Sequence, residues 1–372
     1  MTLLRLSIQN FRNLQAVDLE PSPQVNLFFG ENGSGKTSLL EAIHCLTLGR
    51  SFRSHKHKPL IRQGESAFTV FGRISSSGVQ VPLGVERHLD GQSTFKANGV
   101  QVSSLAELAS YLPIQVINAD SFQLLEGSPK VRRQFMDWLV FHVEPQFFTT
   151  WKGVQRCLKH RNSLLRRDRI DGPELAVWDR ELARLSHSLD QYRQRSIEHF
   201  KSAFLELLAS FIRLPGVDIS YQRGWDRERD YEDVLKTNFD RDSQQGYTHS
   251  GCHRADLRIT INGQPAGEIL SRGQQKLVVC ALKVAQGHVF GNLTGHQCVY
   301  LVDDLPAELD QVHRSRLVDW LERLGGQVFI TGVERDALVA DWQERPHLAR
   351  KVFHVEQGAV KVVEDTSSAA TE

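Results

Sequence analysis

The stretch GENGSGKT, at residues 30–37, constrains the fold of this chain more than any other feature. It matches G-x-x-x-x-G-K-[ST] at every fixed position, with the apolar run VNLFF before it and an amphipathic run, TSLLEAIHCLTL, at its end. A strand, a glycine-rich loop and a helix in that order predict a phosphate-binding loop, in which backbone N–H groups surround an anion. A glycine-rich turn without a ligand is the alternative, but both flanks favour nucleotide binding.

We therefore predict ATP and Mg²⁺ as ligands of this loop. Lys36 would place its positive charge at the β- and γ-phosphates, and the hydroxyl of Thr37 would coordinate Mg²⁺. The predicted ATP-binding residues of the loop are Gly30, Glu31, Asn32, Gly33, Ser34, Gly35, Lys36 and Thr37.

Two acids at the end of another apolar run supply the carboxylate that a phosphate-binding loop needs for its metal. In CVYLVDDLPAELD, Asp303 closes the run and Asp304 follows directly. Such acids could be only a favourable charge pair at the start of the next helix. Given the loop, we predict Asp303 as a Mg²⁺ ligand, mainly through water, and Asp304 as the catalytic residue that positions the attacking water.

Composition favours a cytoplasmic protein without a membrane segment. The five cysteines are scattered without a C-x-x-C pair, as is typical of reduced thiols. The first residues alternate apolar and polar as a strand does, unlike a signal peptide, and no apolar run has the length of a membrane span. Because the net charge is only +1, a site for a polyanion has to come from a local patch.

The order of strand and helix patterns predicts one α/β domain whose two halves are separated by a helical insertion. Strand patterns dominate the beginning of the chain, and the sequence becomes helical and charged near Ser128. Asn98-Gly99 and Asn262-Gly263 are hairpin signals. The predicted segments are the first half at 1–125, the insertion at 126–240, the second half at 241–365 and a disordered tail at 366–372.

The stretch EILSRGQQKLV, at residues 268–278, allows two interpretations. Ser271 followed by Gln274 fits a capping box at the start of a helix, which needs no further function. A helix that starts with Ser271 and a flexible Gly273 can also present its N-terminus to an anion.

Together, the loop, LSRGQ and VYLVDDLPAELD resemble the head domains of ATP-binding-cassette (ABC) proteins. The resemblance implies an ABC-type P-loop ATPase head with a helical lid or arm inserted into it. It also implies that the signature of one subunit acts in trans on the γ-phosphate held by a second copy, in a homodimer with two ATP molecules. The signature residues are Ser271, Arg272, Gly273 and Gln274, and Asp310 falls in the D-loop, which touches across the same interface.

More specific phrases are similar to the RecF family of the ABC/SMC-like ATPases. They are FRNL, GRSFR, LLEGSPKVRRQFMDW, HRADL and LSRGQQKLVVCALKVAQ, and they extend over nearly the whole chain. More than two hundred positions separate Lys36 from Ser271, a spacing that suits this branch and not a transporter ATPase. The resemblance implies an ATP-driven clamp on single-stranded or gapped DNA in recombinational repair and replication, with RecR as the direct partner and help in loading the RecA recombinase.

The alternatives to this function are the ATPase subunit of a transporter and a short-armed chromosome-structure protein. Two departures from relatives indicate a weak DNA-dependent ATPase, in which ATP serves mainly as a switch. Thr331-Gly332 stands where many cassette ATPases carry a histidine, and Asp304 stands where many carry glutamate.

Basic residues are concentrated where the predicted insertion begins. Between residues 130 and 170 ten Lys or Arg stand against three acids, a pattern typical of a solvated helix face that phosphate contacts can exploit. With the resemblance, the predicted DNA contacts are Arg132, Arg133, Arg156 and Arg161. Arg12, in FRNL, is predicted to reach the nucleotide phosphates in its own subunit.

Overall fold

The computed structural model describes residues 1–54, 56–76 and 78–363. In chain order the strands are β1 (Thr2–Phe11), β2 (Leu14–Leu19), β3 (Val25–Phe29), β4 (Ala67–Ser76), β5 (Val79–His88), β6 (Ser93–Ala97), β7 (Val100–Gln101), β8 (Ile114–Ile117), β9 (Val217–Gln222), β10 (Asp256–Ile261), β11 (Gln264–Pro265), β12 (Val299–Val302), β13 (Val328–Gly332), β14 (Arg350–Glu356) and β15 (Ala359–Val363). The helices are α1 (Lys36–Leu48), α2 (Leu105–Tyr111), α3 (Gln123–Glu126), α4 (Pro129–Val143), α5 (Phe147–Leu165), α6 (Gly172–Phe211), α7 (Tyr231–Thr237), α8 (Phe239–Gln245), α9 (Ala266–Ile269), α10 (Arg272–Thr294), α11 (Leu305–Glu308), α12 (Gln311–Leu324) and α13 (Arg335–Ala340).

These elements form two compact units. The nucleotide unit comprises Met1–Ser121 and the chain from Lys276 onward, and the helical unit comprises Phe122–Gln275. Residues 241–275, which the sequence pattern assigned to the second half of the α/β domain, group with the helical unit. The reason is that β10 pairs with β9 and with β11, so the strands that follow the long helices stay with them. The predicted disordered tail, 366–372, lies outside the described residues.

The nucleotide unit holds two six-stranded sheets. One has the order β15-β14-β3-β13-β12-β8, and all its neighbours are parallel except β15 with β14. The other, with the order β2-β1-β4-β5-β6-β7, is antiparallel. Parallel strands leave their carboxyl ends at one edge, and β3 and β12 are the strands that precede the phosphate loop and the two acids.

Helix α1 is buried on almost every side, and its buried residues include the polar Glu41, His44 and Thr47 beside its apolar side chains. Leu39, Leu40, Ile43 and Leu46 belong to a core cluster that includes side chains from both sheets of the nucleotide unit. A helix held this firmly fixes the position of its N-terminus, where the phosphate loop ends.

The helical unit is organised by α4, α5 and α6, as the sequence from Ser128 predicts. Apolar side chains of these helices pack with Trp225, Tyr231 and Leu235 in a core of their own. Helix α6 has 40 residues, and its N-cap Asp171 accepts a hydrogen bond from the N–H of Glu174. In the part of the chain that the structure describes, none of the helices has both the length and the apolar character needed to cross a membrane.

Candidate nucleotide site and signature helix

The phosphate loop connects β3 to α1, and two of its glycines are required by its geometry. Gly30 has φ +154°, and a Cβ there would lie 2.1 Å from the carbonyl oxygen of Val355 on β14. Gly35, with φ +120°, is the N-cap of α1, and a Cβ there would lie 2.9 Å from the side chain of Leu14. No side chain caps the first turn of α1, so its N–H groups remain free for an anion.

The ammonium group of Lys36 lies inside the curve of the loop. Its Nζ donates to the carbonyl oxygens of Gly30 at 2.7 Å and of Glu31 at 2.8 Å, and the side chain is largely buried. Burial lowers the pKa of Lys36, while the nearby carboxylates of Asp304 and Asp303 act to raise it. The lysine therefore already holds the loop in a curved shape with its charge at the centre.

Asp303 is bound by two hydroxyl groups at the carboxyl end of β12. The Oγ1 of Thr37 lies 3.0 Å from both carboxylate oxygens, and the Oγ1 of Thr331 donates to one of them at 2.7 Å. Burial raises the pKa of Asp303, and the two threonine hydroxyls counteract this only in part. A cation beside this carboxylate would compensate its burial.

Thr331 also fixes Asp304, a role that the sequence did not reveal. Its Oγ1 accepts the backbone N–H of Asp304 at 2.8 Å, and Asp304 adopts a left-handed conformation with φ +55°. Thr331 therefore ties both acids together at the point where many cassette ATPases carry a histidine. The catalytic role of Asp304 stays a prediction.

The loop, the first turn of α1 and the two acids line one cavity of about 430 Å³. Arg53 also lines this cavity, although it is not one of the predicted ATP-binding residues. Among the described residues, no group of three or more His, Cys, Asp or Glu side chains could hold a metal ion. That is compatible with Mg²⁺, which is usually held by one or two carboxylates, waters and substrate phosphates. Thr37 and Asp303 are the protein ligands that fit.

The turn between β1 and β2 supports the loop from its side. Asn13 donates to the carbonyl oxygen of Gly33 at 3.1 Å and accepts the hydroxyl of Ser38 at 2.8 Å. Arg12 instead donates to both carboxylate oxygens of the fully buried Glu41, at 2.7 and 3.1 Å. In this conformation the guanidinium of Arg12 holds the helix that follows the loop, so its predicted contact with phosphate needs a rearrangement.

The start of α10 contains the predicted capping box. The N–H of Ser271 donates to Oε1 of Gln274 at 3.0 Å, and Oγ of Ser271 accepts the N–H of Gln274 at 3.4 Å. Ser271, Arg272 and Gly273 are exposed, and Arg272 also binds Glu126 of α3 at 2.6 Å. The signature residues thus lie at an open helix N-terminus in the helical unit.

Asp310, predicted for the D-loop, is the N-cap of α12. Its side chain accepts the N–H of His313 at 3.1 Å and lies 2.6 Å from Nδ1 of the same histidine. These bonds lower the pKa of Asp310, which is exposed. A contact with a second subunit stays a prediction.

Three of the four arginines predicted to contact DNA are engaged within the helical unit. Arg161 is fully buried and binds Asp179 and Asp242, each at 2.7 Å, so its assignment to DNA was wrong. Arg132 forms a bidentate salt bridge with Asp256, with N···O distances of 2.7 and 3.0 Å, and its side chain is largely buried.

Arg133 donates to the carbonyl oxygen of Ala255 at 2.7 Å, and burial lowers the pKa of its guanidinium. Arg156, by contrast, is exposed on α5. The structure therefore removes Arg161 from the predicted group, and DNA contacts of Arg132, Arg133 and Arg156 stay predictions.

Almost the whole chain is similar to known proteins. Residues 2–360 match the family model described as RecF/RecN/SMC N terminal domain. The DNA replication and repair protein RecF of Cellvibrio japonicus is 61% identical over 361 residues, which cover 97% of this chain and 99% of the relative. This chain belongs to the RecF family of DNA replication and repair proteins. RecF of Pseudomonas aeruginosa is 51% identical, with 97% of each chain covered.

Solved structures agree with membership in the RecF family. The structure of the recombination mediator protein RecF with ATP, in the RecFOR pathway, has a TM-score of 0.86 and 26% identity, with 98% of each chain covered. A second structure, of RecF with ATPrS, has a TM-score of 0.84, with 97% of this chain and 98% of that chain covered. An Smc head bound to a domain of ScpA shares the fold, with a TM-score of 0.60 and 18% identity. The ABC-type head that the sequence predicts is thereby confirmed.

Proposed function

We propose that this chain binds ATP with Mg²⁺ and uses it to close a homodimer on DNA during recombinational repair and replication. The observation that carries the proposal is the convergence of Lys36, Thr37 and Asp303 on one cavity. Phosphate groups would replace the two loop carbonyls as acceptors for Lys36. Because the loop is already curved around the ammonium group, this exchange requires little rearrangement.

The nucleoside has room beside the phosphate cavity. A second cavity of about 640 Å³ is lined by Arg12, Pro59 and Arg62, and it shares Asn13 and Ser38 with the first. ATP would thus extend from the loop past the β1–β2 turn. In that position Arg12 would lie close to the ligand while its guanidinium still holds Glu41.

The metal would bind between Thr37 and Asp303. Mg²⁺ would take the place of the hydrogen bond that joins them, with waters and phosphate oxygens completing its coordination. Asp304 would position the attacking water, and its short side chain favours slow hydrolysis, so that ATP serves as a switch. The enzyme would be a weak DNA-dependent ATPase.

The exposed start of the signature helix, α10, is the reason for proposing that a second subunit binds there. Ser271, Arg272 and Gly273 are exposed, and a helix N-terminus next to an arginine attracts an anion. In our proposal that anion is the γ-phosphate bound in the partner's loop, with Asp310 touching across the same interface. The relatives solved with ATP support nucleotide binding within the family.

DNA would be the polyanion that the dimer retains, with Arg156 among its contacts. The relatives are DNA replication and repair proteins, and one is a mediator in the RecFOR pathway. We therefore propose RecR as the direct partner and the RecA recombinase as the protein whose loading is assisted. The five cysteines are all buried thiols, which suits the reducing cytoplasm.

The test measures dimerisation and retention of gapped DNA for the wild-type chain, Lys36→Arg and Ser271→Arg, with and without ATP. We expect the wild-type chain to dimerise and to retain DNA only with ATP. Lys36→Arg should fail at nucleotide binding, and Ser271→Arg should bind nucleotide as a monomer. Equal dimerisation by all three proteins would refute the proposal.

A further inference from the structure

One face of helix α5 combines an aromatic pair with positive charge. We name it the α5 face, and it consists of Phe148, Trp151, Lys152, Arg156 and Lys159. Phe148, Lys152, Arg156 and Lys159 follow one another at intervals of four or three residues, and Trp151 is three residues after Phe148, so the side chains lie on one side of the helix. The predicted function uses only Arg156 of this group.

The aromatic part of the α5 face is a pair of parallel rings, of which Trp151 is exposed and Phe148 is half-buried. The rings of Phe148 and Trp151 are nearly parallel, with an interplanar angle of 10° and centroids 6.4 Å apart. Trp151 is 36% exposed, which is high for a side chain of this size. Nζ of Lys152 lies over the Phe148 ring, 5.4 Å from its centroid, so a cation is held next to the aromatic pair.

The charged part of the α5 face has no acid on its own helix. Residues 147–165 contain no Asp or Glu, whereas Lys152, Arg156 and Lys159 are all exposed. The acid that acts on Arg156 from a neighbouring element is Glu181 of α6. Glu181 is already bound by Arg184 at 2.7 and 2.9 Å, so it neutralises little of the charge on the α5 face.

We propose that the α5 face binds single-stranded DNA, with a base stacked on Trp151 and the backbone phosphates on Lys152, Arg156 and Lys159. Proteins that bind single strands combine such aromatic platforms with a row of cations, because every base has a flat surface that can stack. A duplex hides its base faces, so the platform would add nothing to its binding. The proposal rests on the proposed function only in taking DNA as the ligand.

An acidic peptide is the competing occupant that the charges alone would allow. The exposed ring of Trp151 favours a nucleobase, since a flat π-system gains most from stacking on a flat ring. Two substitutions of one residue separate these occupants. Trp151→Phe keeps an aromatic surface, whereas Trp151→Leu keeps only an apolar one.

The experiment uses the full chain and a fluorescein-labelled 20-nucleotide oligo-dT, with a duplex of equal length as comparison and fluorescence anisotropy as the readout. We expect Trp151→Leu to weaken oligo-dT binding about ten-fold, as loss of one base–aromatic stack does, and to leave duplex binding unchanged. Trp151→Phe should restore most of the affinity. Equal affinity of Trp151→Leu and the wild-type chain for oligo-dT would overturn the proposal, as would an equal loss on the duplex.

Charge reversal tests the phosphate contacts independently. The double variant Lys152→Glu, Arg156→Glu should reduce the slope of log affinity against log salt by about 1.4, or about 0.7 for each lost contact on a single strand. Arg213→Glu, an exposed arginine of the same unit outside the α5 face, is the matched control and should leave the slope unchanged. Equal slopes for the control and the double variant would contradict the proposal.

The two functional proposals fail in different ways. If the α5 variants lose oligo-dT binding while Lys36→Arg still dimerises, the proposal that the α5 face binds single-stranded DNA is supported. The proposal that ATP drives dimerisation is then refuted. If Lys36→Arg loses dimerisation and Trp151→Leu keeps full oligo-dT binding, the reverse holds. Thermal unfolding of each variant checks that it remains folded, and unchanged ATP affinity of the α5 variants checks the nucleotide unit.

Discussion

Two helices of this chain begin at predicted phosphate sites, and they begin in opposite ways. Helix α1 starts without a side-chain cap, among buried residues, with Lys36 in the loop and Asp303 beside it. Helix α10 starts exposed, and its Ser271 and Gln274 satisfy each other's backbone N–H groups. Both are helix N-termini with the same partial positive charge, so the helix dipole does not distinguish them.

The difference is in the groups that surround each helix start. The start of α1 has free donors, a cation, a carboxylate and a cavity, all supplied by one chain. The start of α10 has its donors partly satisfied by its own capping box, and its exposed Arg272 is bound to Glu126. We infer that the first is a site built within one chain, and that the second is completed by another molecule.

Loss of the loop cation should have the largest effect. Lys36→Ala removes a buried charge–phosphate contact, and we expect ATP affinity to fall by roughly 3 kcal/mol, or about 150-fold. Isothermal titration calorimetry measures the ATP affinity. Lys58 is exposed, and Lys58→Ala is the matched control. A loss below about five-fold would mean that the loop N–H groups alone hold the nucleotide.

A change at the open helix should act only on assembly. Ser271→Arg places bulk and charge at the start of α10, and we expect ATP affinity of the monomer to stay within two-fold while dimerisation with ATP weakens by about 100-fold, or about 3 kcal/mol. Analytical ultracentrifugation reports the dimer. Ser104→Arg is the matched control, because Ser104 caps α2 in the same way. If Ser271→Arg lowers the ATP affinity of the monomer as much as Lys36→Ala does, then the starts of α1 and α10 do not act on separate steps.

Removing the partly buried carboxylate of Asp303 should raise the stability of the free protein and weaken its stabilisation by ligand. Because burial raises the pKa of Asp303, the folded protein holds this proton to a higher pH than the unfolded chain does, and ionisation costs stability as pH rises. Asp303→Asn should therefore match the wild-type chain below about pH 4 and unfold a few degrees higher near pH 7, about 2–4 °C for about 1 kcal/mol.

The same variant should lose the stabilisation that ATP with Mg²⁺ gives the wild-type chain. Differential scanning fluorimetry between pH 4 and 8, with and without ligand, provides both measurements. A variant less stable than the wild-type chain at pH 7 without ligand would show that the bonds from Thr37 and Thr331 outweigh the cost of burial.

The smallest effect is expected at the capping box itself. Gln274→Ala removes one of the two reciprocal bonds and should lower the free energy of unfolding by about 0.5 kcal/mol. Chemical denaturation measures this change. Dimerisation with ATP that drops as far as in Ser271→Arg would instead indicate that Gln274 contacts the partner's nucleotide directly.

Local patterns were the part of this molecule that the sequence predicted well. The turns at Asn98 and Asn262, each followed by glycine, have the positive φ angles that two-residue hairpins require. The capping box and the strand–loop–helix order around Lys36 also lie within a few residues. Each of these depends on neighbours in the chain, so the pattern contains the information.

Long-range pairing was the part that the sequence could not show. Arg161 is paired with Asp242, 81 positions away, and Arg132 with Asp256, 124 positions away. A charge count cannot tell a buried, paired arginine from a free one. In β1 the pairing with β4 is irregular between Leu3 and Arg5, and Leu3 is buried while Leu4 is half-buried, which the simple alternation of the sequence does not show.

The placement of β3 has a consequence for the order in which this protein can mature. Its two neighbours, β13 and β14, are both made about 300 residues after it, and residue 358 donates a backbone hydrogen bond to Ser34 in the loop. At roughly 5–20 residues per second, a ribosome takes about 15–60 s to bridge that gap. During that interval both edges of β3 are unpaired, so the nascent chain cannot yet bind ATP. Nucleotide binding is therefore a property that the chain gains only near the end of its synthesis.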